Sequence, residues 1–352
     1  MKNLMLGTIS GLALVMAAGA AQAQSDACGD GETVIKFSHV VADSGHPKGD
    51  AAQLLAKNIN EQMDGKACMQ VFPNSTLYDD DKVMEALLLG DVQLAAPSLS
   101  KFEAYTLQLR LYDLPFLFPT LEAANSYLAS EDATALLAAL EDEGYKGLGY
   151  IASGLKQFSA NKPLMLPEDA AGLKFRVQTS DVAVAMIEAM NASAQKLAFK
   201  EVYGALQTGV VDGQENTWCN IYTQKFFEVQ DGITETNHQL LAYGVITSQE
   251  WLDGLEEDVR EQFLQILGDT LEQANQQVAD QEGDCRNSIT EAGAEIRELD
   301  DSQRQAWVDT MKPVWDQFEG DIGAEVIETA ESYGSTQKAD AGSEGSSEQA
   351  AN

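Results

Sequence analysis

The stretch 85–98, EALLLGDVQLAAPS, is echoed at 204–217, GALQTGVVDGQENT. Aligned without gaps, both read A-L-x-x-G-x-V: the end of an amphipathic helix, a glycine that closes it, then a short strand. A chain that builds the same helix–turn–strand unit twice is constrained towards two similar lobes. Short polar loops follow each strand, at the carboxyl ends where open α/β sheets hold ligands. Two lobes facing each other across such loops make a clamp that closes on a small molecule.

At 352 residues the chain has room for two α/β domains. It begins with Lys2, an apolar run over 4–18 and the triplet Ala21-Gln22-Ala23. A basic start, a short apolar core and an A-x-A end describe a cleavable secretory signal over 1–23. No later apolar run approaches the roughly 18 to 20 residues that span a bilayer, so the expected product is exported and soluble.

Four cysteines follow: Cys28, Cys68, Cys219 and Cys285. An even number in an exported chain favours two disulfides, and three pairings are open. Cys28–Cys68 is the favoured pair, each residue sitting beside an early strand, with Cys219–Cys285 as the other. Closing a loop the length of the first stabilises by about 4 kcal/mol on chain-entropy grounds. Free buried thiols are the competing reading. No two cysteines are spaced closely enough to suggest zinc.

The 56 acidic and 22 basic residues give a net charge of −34. Such a surface repels nucleic acid and anionic membranes, so neither is an expected partner. The acids are scattered, as on a solvated surface, and suit a salty habitat where a Debye length near 3 Å at about 1 M screens self-repulsion.

Hydrophobic periodicity places strands at 33–41, 68–72 and 92–96, alternating with helices at 47–63 and up to Leu89, the β-α-β-α-β order of a mainly parallel sheet. Asp79, Asp80 and Asp81 suit the start of the second helix. YDLPFLFP at 112–119 reads as a packed connection. Helical patterns around 122–143 lead to a strand at 146–151, and a second lobe starts after Ser153. It is expected to hold strands at 157–160 and 174–177 and helices at 181–189 and 200–208, with a strand at 243–247 returning to the first lobe. Residues 256–292 carry one long helical pattern, about 55 Å if continuous, which braces both lobes, with Gly268 and Gly283 as candidate kinks. Trp307, Met311, Trp315 and Phe318 mark a last helix. The expected division is 30–153 with 242–281 as lobe I, 154–241 with 282–334 as lobe II, and 335–352 as a disordered tail.

Several segments then become familiar in order: FSHVVAD from Phe37, VFPNSTLYDD from Val71, LPFLF from Leu114, KQFSANKP from Lys156, GLKFRVQTSD from Gly172 and EVYGALQTGVVDGQENTW from Glu201. Together they resemble the extracytoplasmic solute receptors of TRAP transporters, most closely the DctP-type receptors for C4-dicarboxylates, over about 33–318. The resemblance implies a two-lobed α/β fold like that of periplasmic binding proteins. It also implies a periplasmic, cofactor-free monomer that closes on an organic acid anion and hands it to a membrane permease driven by an ion gradient. By the same resemblance Arg176 grips the substrate carboxylate and Lys156 is a second basic position at the cleft. Asn216 contacts the anion, Phe199 and Ser98 line the pocket from the two lobes, and His39 is a polar position on the first strand.

The residues support this chemistry on their own terms. A guanidinium meets a carboxylate with two parallel charge-assisted hydrogen bonds, which an ammonium cannot copy. Basic groups at a lobe junction focus anions locally despite an acidic whole. Thr179 and Ser180 offer further hydroxyls in a cleft-facing loop, with helix capping as the competing role. Succinate, fumarate or malate is the favoured ligand. The alternatives are sugar, keto or aromatic acids, and a receptor that reports to a signalling partner. Catalysis is disfavoured: Ser153-Gly154-Leu155-Lys156 matches S-x-x-K but lacks its companion motifs. Phosphate and dinucleotide loops are missing, and His39, His46 and His238 have no metal-site spacing.

Overall fold

The computed structural model describes residues 28–334, so the expected signal at 1–23 and tail at 335–352 lie outside the described residues. Its strands are β1 (Thr33–Ser38), β2 (Ala67–Phe72), β3 (Leu94–Ala95), β4 (Tyr145–Leu155), β5 (Gln157–Ala160), β6 (Lys174–Val177), β7 (Ser193–Lys196), β8 (Gly213–Asn216), β9 (Gly232–Glu235), β10 (Leu240–Ser248) and β11 (Ile296–Glu298). They form two sheets, ordered β2-β1-β3-β10-β4 and β11-β9-β5-β8-β6-β7.

From the β7 edge, the second sheet repeats the first: β7, β6, β8, β5 and β9 occupy the places of β2, β1, β3, β10 and β4. In each sheet one strand is reversed against its neighbours, β10 in the first and β5 in the second. The register agrees with the sequence echo. Phe37 pairs with Leu94 in the first sheet and Phe175 with Gly213 in the second, and Leu94 and Gly213 are matching positions of the ungapped alignment. The repeated unit therefore delivers β3 and β8 to equivalent places, and their following loops face a common cleft.

Two of the crossings between the sheets run side by side. β4 passes into β5 through Lys156, and the return from β9 to β10 passes through 236–239. Lys156 N donates to Gln239 O at 2.7 Å and His238 N donates to Lys156 O at 3.2 Å.

The first sheet is covered by the helix Pro47–Gln62, whose proline sits at the tolerated entry position and whose His46 cap accepts from Lys48 N at 3.1 Å. Its Ala52, Leu55, Ala56 and Ile59 recur at helical spacing and bury against Ile35, Phe37, Phe263 and Leu267.

The pattern over 256–292 is two helices, Glu257–Asn275 and Val278–Glu291, instead of one. The break falls at Gln276-Gln277, where Gln277 N turns back to Ala274 O with a tighter three-residue bond. Gly268 and Gly283 lie inside intact helix with open space around them. The break lets Phe263, Leu267 and Leu271 join the first sheet's core while Cys285 and Ile289 join one under the second.

The expected last helix is likewise divided, into Asp301–Met311 and Trp315–Ile322, because Pro313 between them has no N–H to continue the ladder. Trp307 and Met311 bury with Phe158 and Phe175 of the second sheet. Trp315, Phe318, Ile322, Ile327 and Ala330 bury in the cluster that holds Leu109, Leu111, Phe118 and Tyr150, on the first sheet's side. The last described turns therefore pack largely on the first sheet's side, where Val182 of the helix Asp181–Ala189 also joins the cluster.

Two disulfides close the pairs favoured from sequence, Cys28–Cys68 and Cys219–Cys285. The second ties the helix Val278–Glu291 to the helix Trp218–Thr223 that follows β8. Among the described residues no helix is long and apolar enough to cross a membrane.

Candidate functional site

A cleft of about 500 Å³ of empty space, part of it open to solvent, lies where the loops of the two sheets meet. From the second sheet it receives Arg176 at the end of β6, Gln178 and Phe199 just beyond, and Asn216 at the end of β8. From the first it receives Val40 and Val41 after β1, Asp79, Asp80 and Asp81 after β2, Ser98 and Lys101 after β3, and Tyr243 of β10.

Arg176 is 2 % exposed. Its Nε and Nη2 donate to Leu197 O at 3.1 and 2.9 Å, which fixes the plane of the guanidinium. Nη1 is buried and has no protein partner. Burial lowers its pKa to about 10, with Glu215, Asp80, Asp81 and Glu201 acting in the opposite direction, so the group stays charged at neutral pH. A buried guanidinium nitrogen without a protein acceptor can take one from an anion, because an unmade buried hydrogen bond costs the full desolvation of the donor.

Asn216 is held by its neighbours. Its Oδ1 accepts from Asn220 Nδ2 at 2.7 Å, one helical turn on, and its Nδ2 donates to Gln214 Oε1 at 3.2 Å. Phe199 supplies an apolar wall, set edge-on to Phe226 at 6.0 Å between ring centres. Ser98 is buried and lines the cleft from the first lobe. Arg176, Asn216, Phe199 and Ser98 thus line one cleft.

Four expected residues are not among those lining the cleft. Lys156 is buried at the crossing between sheets, where Nζ donates to Gln239 Oε1 at 2.6 Å and pairs with Glu215 Oε2 at 2.9 Å. Its charge is spent on Glu215, so it supports the site from behind. His39 is buried and packs edge-on to Phe37, and burial lowers its pKa to about 3. Ser180 caps the helix Asp181–Ala189 by accepting from Ala183 N at 3.1 Å, which is the competing role. Thr179 Oγ1 accepts from Lys101 Nζ at 2.9 Å.

The floor carries charge that sequence reasoning did not single out. Lys48 Nζ donates to Ala96 O at 3.0 Å and sits 3.7 Å over the face of the Tyr243 ring. Burial lowers its pKa to about 8. Burial raises the pKa of Asp80, while Lys48 and Lys101 pull it down. At the rim Lys200 Nζ lies 3.1 Å from Asp79 Oδ2, joining the two lobes.

This geometry has counterparts among known proteins. The model of the bacterial extracellular solute-binding proteins, family 7, matches residues 37–321. The chain belongs to that family. Family 7 relatives include the C4-dicarboxylate-binding periplasmic protein DctP of Vibrio cholerae, 58 % identical over 86 % of this chain and 91 % of the relative. The DctP of Shewanella loihica is 46 % identical over 85 % and 89 %. A TRAP periplasmic solute-binding protein of Shewanella oneidensis, solved with bound succinate, superposes with a TM-score of 0.84 at 44 % identity, covering 86 % of this chain and 99 % of that one. One from Pseudomonas aeruginosa, solved with bound L-malate, gives 0.79 at 40 % identity, covering 81 % and 99 %. The chain is therefore a two-lobed α/β protein of the TRAP receptor type.

Two of the missed residues stand a short step beyond residues that the sequence reading had already singled out. Lys101 falls three residues after Ser98, at the start of the short 3-10 helix Leu99–Ala104, which returns it to the same place. Asn220 stands four residues after Asn216 on a helix. Tyr243 and Lys48 meet only through tertiary packing.

Proposed function

We propose that this chain is the periplasmic receptor of a TRAP transporter, working as a monomer that captures a C4-dicarboxylate such as succinate, fumarate or malate and delivers it to the membrane permease. The observation that carries the reading is the buried, unpartnered Nη1 of Arg176, a residue that lines the cleft. A ligand carboxylate supplies the missing acceptor with charge-assisted bonds. Asn216 and Ser98 add polar contacts, and Phe199 covers the carbon chain. The names of the relatives, and the succinate and malate held by similar structures, support the choice of ligand class. In this reading the lobes divide at the paired crossings around Lys156 and Gln239, and closure about them encloses the ligand. Binding without chemistry is its whole task.

A thermal-shift panel on ligand-stripped protein, with C4-dicarboxylates, sugar acids, keto acids and aromatic acids, tests the reading. A ligand at 1,000 times its Kd adds about 4 kcal/mol of stability. A shift of several degrees with succinate, fumarate or malate is expected. A shift confined to another acid class moves the substrate, and silence across all acids overturns the anion receptor.

A further inference from the structure

Arg176 accounts for one carboxylate, and a C4-dicarboxylate brings two. We propose that Lys101 reads the second, releasing Asp81 to take it, and that this exchange sets the preference for dicarboxylates over monocarboxylates. The inference rests on the cleft being a dicarboxylate site.

Lys101 follows Ser98 in the short 3-10 helix Leu99–Ala104 and lines the cleft from the first lobe, opposite Arg176 of the second sheet. Its side chain is 9 % exposed, and Nζ lies 2.6 Å from Asp81 Oδ1 and 2.9 Å from Thr179 Oγ1. An ammonium has three donors, so a third remains for a ligand even before any exchange.

The current partner is replaceable. The Asp81 side chain is 49 % exposed, and an ion pair with one such open member holds weakly, because water receives the released carboxylate at little cost. A ligand carboxylate buried beside Lys101 meets the same ammonium with less competition from solvent.

Neither of the other cations lining or underlying the cleft fits this role. Lys200 is 58 % exposed and pairs with Asp79 on the rim. Lys48 is committed to Ala96 O and the Tyr243 ring beneath the floor.

Asp80 and Asp81 lie close enough to act on Arg176, and Asp80 on Lys101 as well. The two cations therefore flank the same acids, and a ligand with a charge at each end matches that pair. A dicarboxylate joins Arg176 to Lys101 across the lobes. A monocarboxylate engages Arg176 and leaves Lys101 on Asp81.

Calorimetry with succinate and butyrate, which share a four-carbon skeleton, tests this on the wild type and on Lys101→Met, Asp81→Asn and Arg176→Met, each with a thermal melt to confirm folding. Lys101→Met is expected to lower succinate affinity by about 100-fold and leave butyrate unchanged, so that the preference collapses. Asp81→Asn is expected to strengthen succinate binding by freeing Lys101. A succinate-to-butyrate ratio unchanged in Lys101→Met, with binding abolished in Arg176→Met, overturns the role of Lys101 alone. Wild-type binding retained in Arg176→Met overturns the reading of the cleft itself.

Discussion

Lys156 Nζ lies 2.9 Å from Glu215 Oε2, and both side chains are closed to solvent. Glu215 in turn acts electrostatically on Arg176, and Lys156 on Asp113. Charges alternate from Asp113 through Lys156 and Glu215 to the guanidinium that faces the cleft. Gln239 ties the inner end together, donating to Asp113 O and accepting from Lys156. The series runs through the paired crossings at Lys156 and Gln239, so the charge on Arg176 is anchored where the chain passes between the two sheets. Burial raises the pKa of Glu215, and Lys156 is the first of the groups that oppose it.

Removing one member of that pair is expected to be costly. Lys156→Met leaves Glu215 buried without its cation, a loss of about 3 to 5 kcal/mol of folding stability. The double variant Lys156→Met, Glu215→Gln is expected to recover a large part of it, because no uncompensated charge remains. Urea unfolding of both variants checks this. Equal stability of the wild type and Lys156→Met would contradict the buried pair.

Glu282 gives stability a pH dependence. Its oxygens accept from Trp218 N at 2.9 Å and Cys219 N at 3.0 Å, yet burial dominates and raises its pKa from 4.5 to about 8. A folded pKa above the unfolded one means the folded state holds an extra proton between those values. The contribution is full below about 4.5 and is lost as pH rises through about 8. Urea unfolding from about pH 5 to about pH 9 is expected to show wild-type stability falling relative to Glu282→Gln. Parallel curves would contradict a proton held at Glu282.

Two glycines are expected to respond in opposite directions to alanine. Gly154, near the end of β4, has φ +138°, and an added Cβ would lie 2.6 Å from Glu282 Oε2. Gly154→Ala is expected to cost about 1 to 3 kcal/mol. Gly268 lies within the helix Glu257–Asn275 with nothing within 4 Å of an added Cβ, so Gly268→Ala is expected to gain about 0.5 to 1 kcal/mol. Denaturant midpoints of the two variants check the pair.

The sequence carried the doubled architecture well, because the helix end, glycine and strand of each unit are local signals. The ungapped alignment even kept sheet register, with Leu94 and Gly213 in matching places. Arg176 and Asn216 were expected only through the family resemblance, and the structure sets both beside the cleft, near or at the ends of their strands. The pairing of Lys156 was not legible, since its partners Glu215 and Gln239 come from distant segments and its burial depends on the paired crossings. The strand Ser193–Lys196 escaped notice because it is polar and pairs along one edge only. The break at Gln276-Gln277 was invisible too, as the apolar stripe runs on while its burial changes from one core to another.

The most direct test of the central claim is titration calorimetry of succinate into ligand-stripped wild type and Arg176→Lys. The variant keeps the charge but loses the planar fork held by Leu197 O. The account predicts saturable one-to-one binding by the wild type and a loss of about 100-fold or more in Arg176→Lys, with the melting of the ligand-free proteins little changed. Equal succinate affinity in both would remove Arg176 from the site and contradict the account.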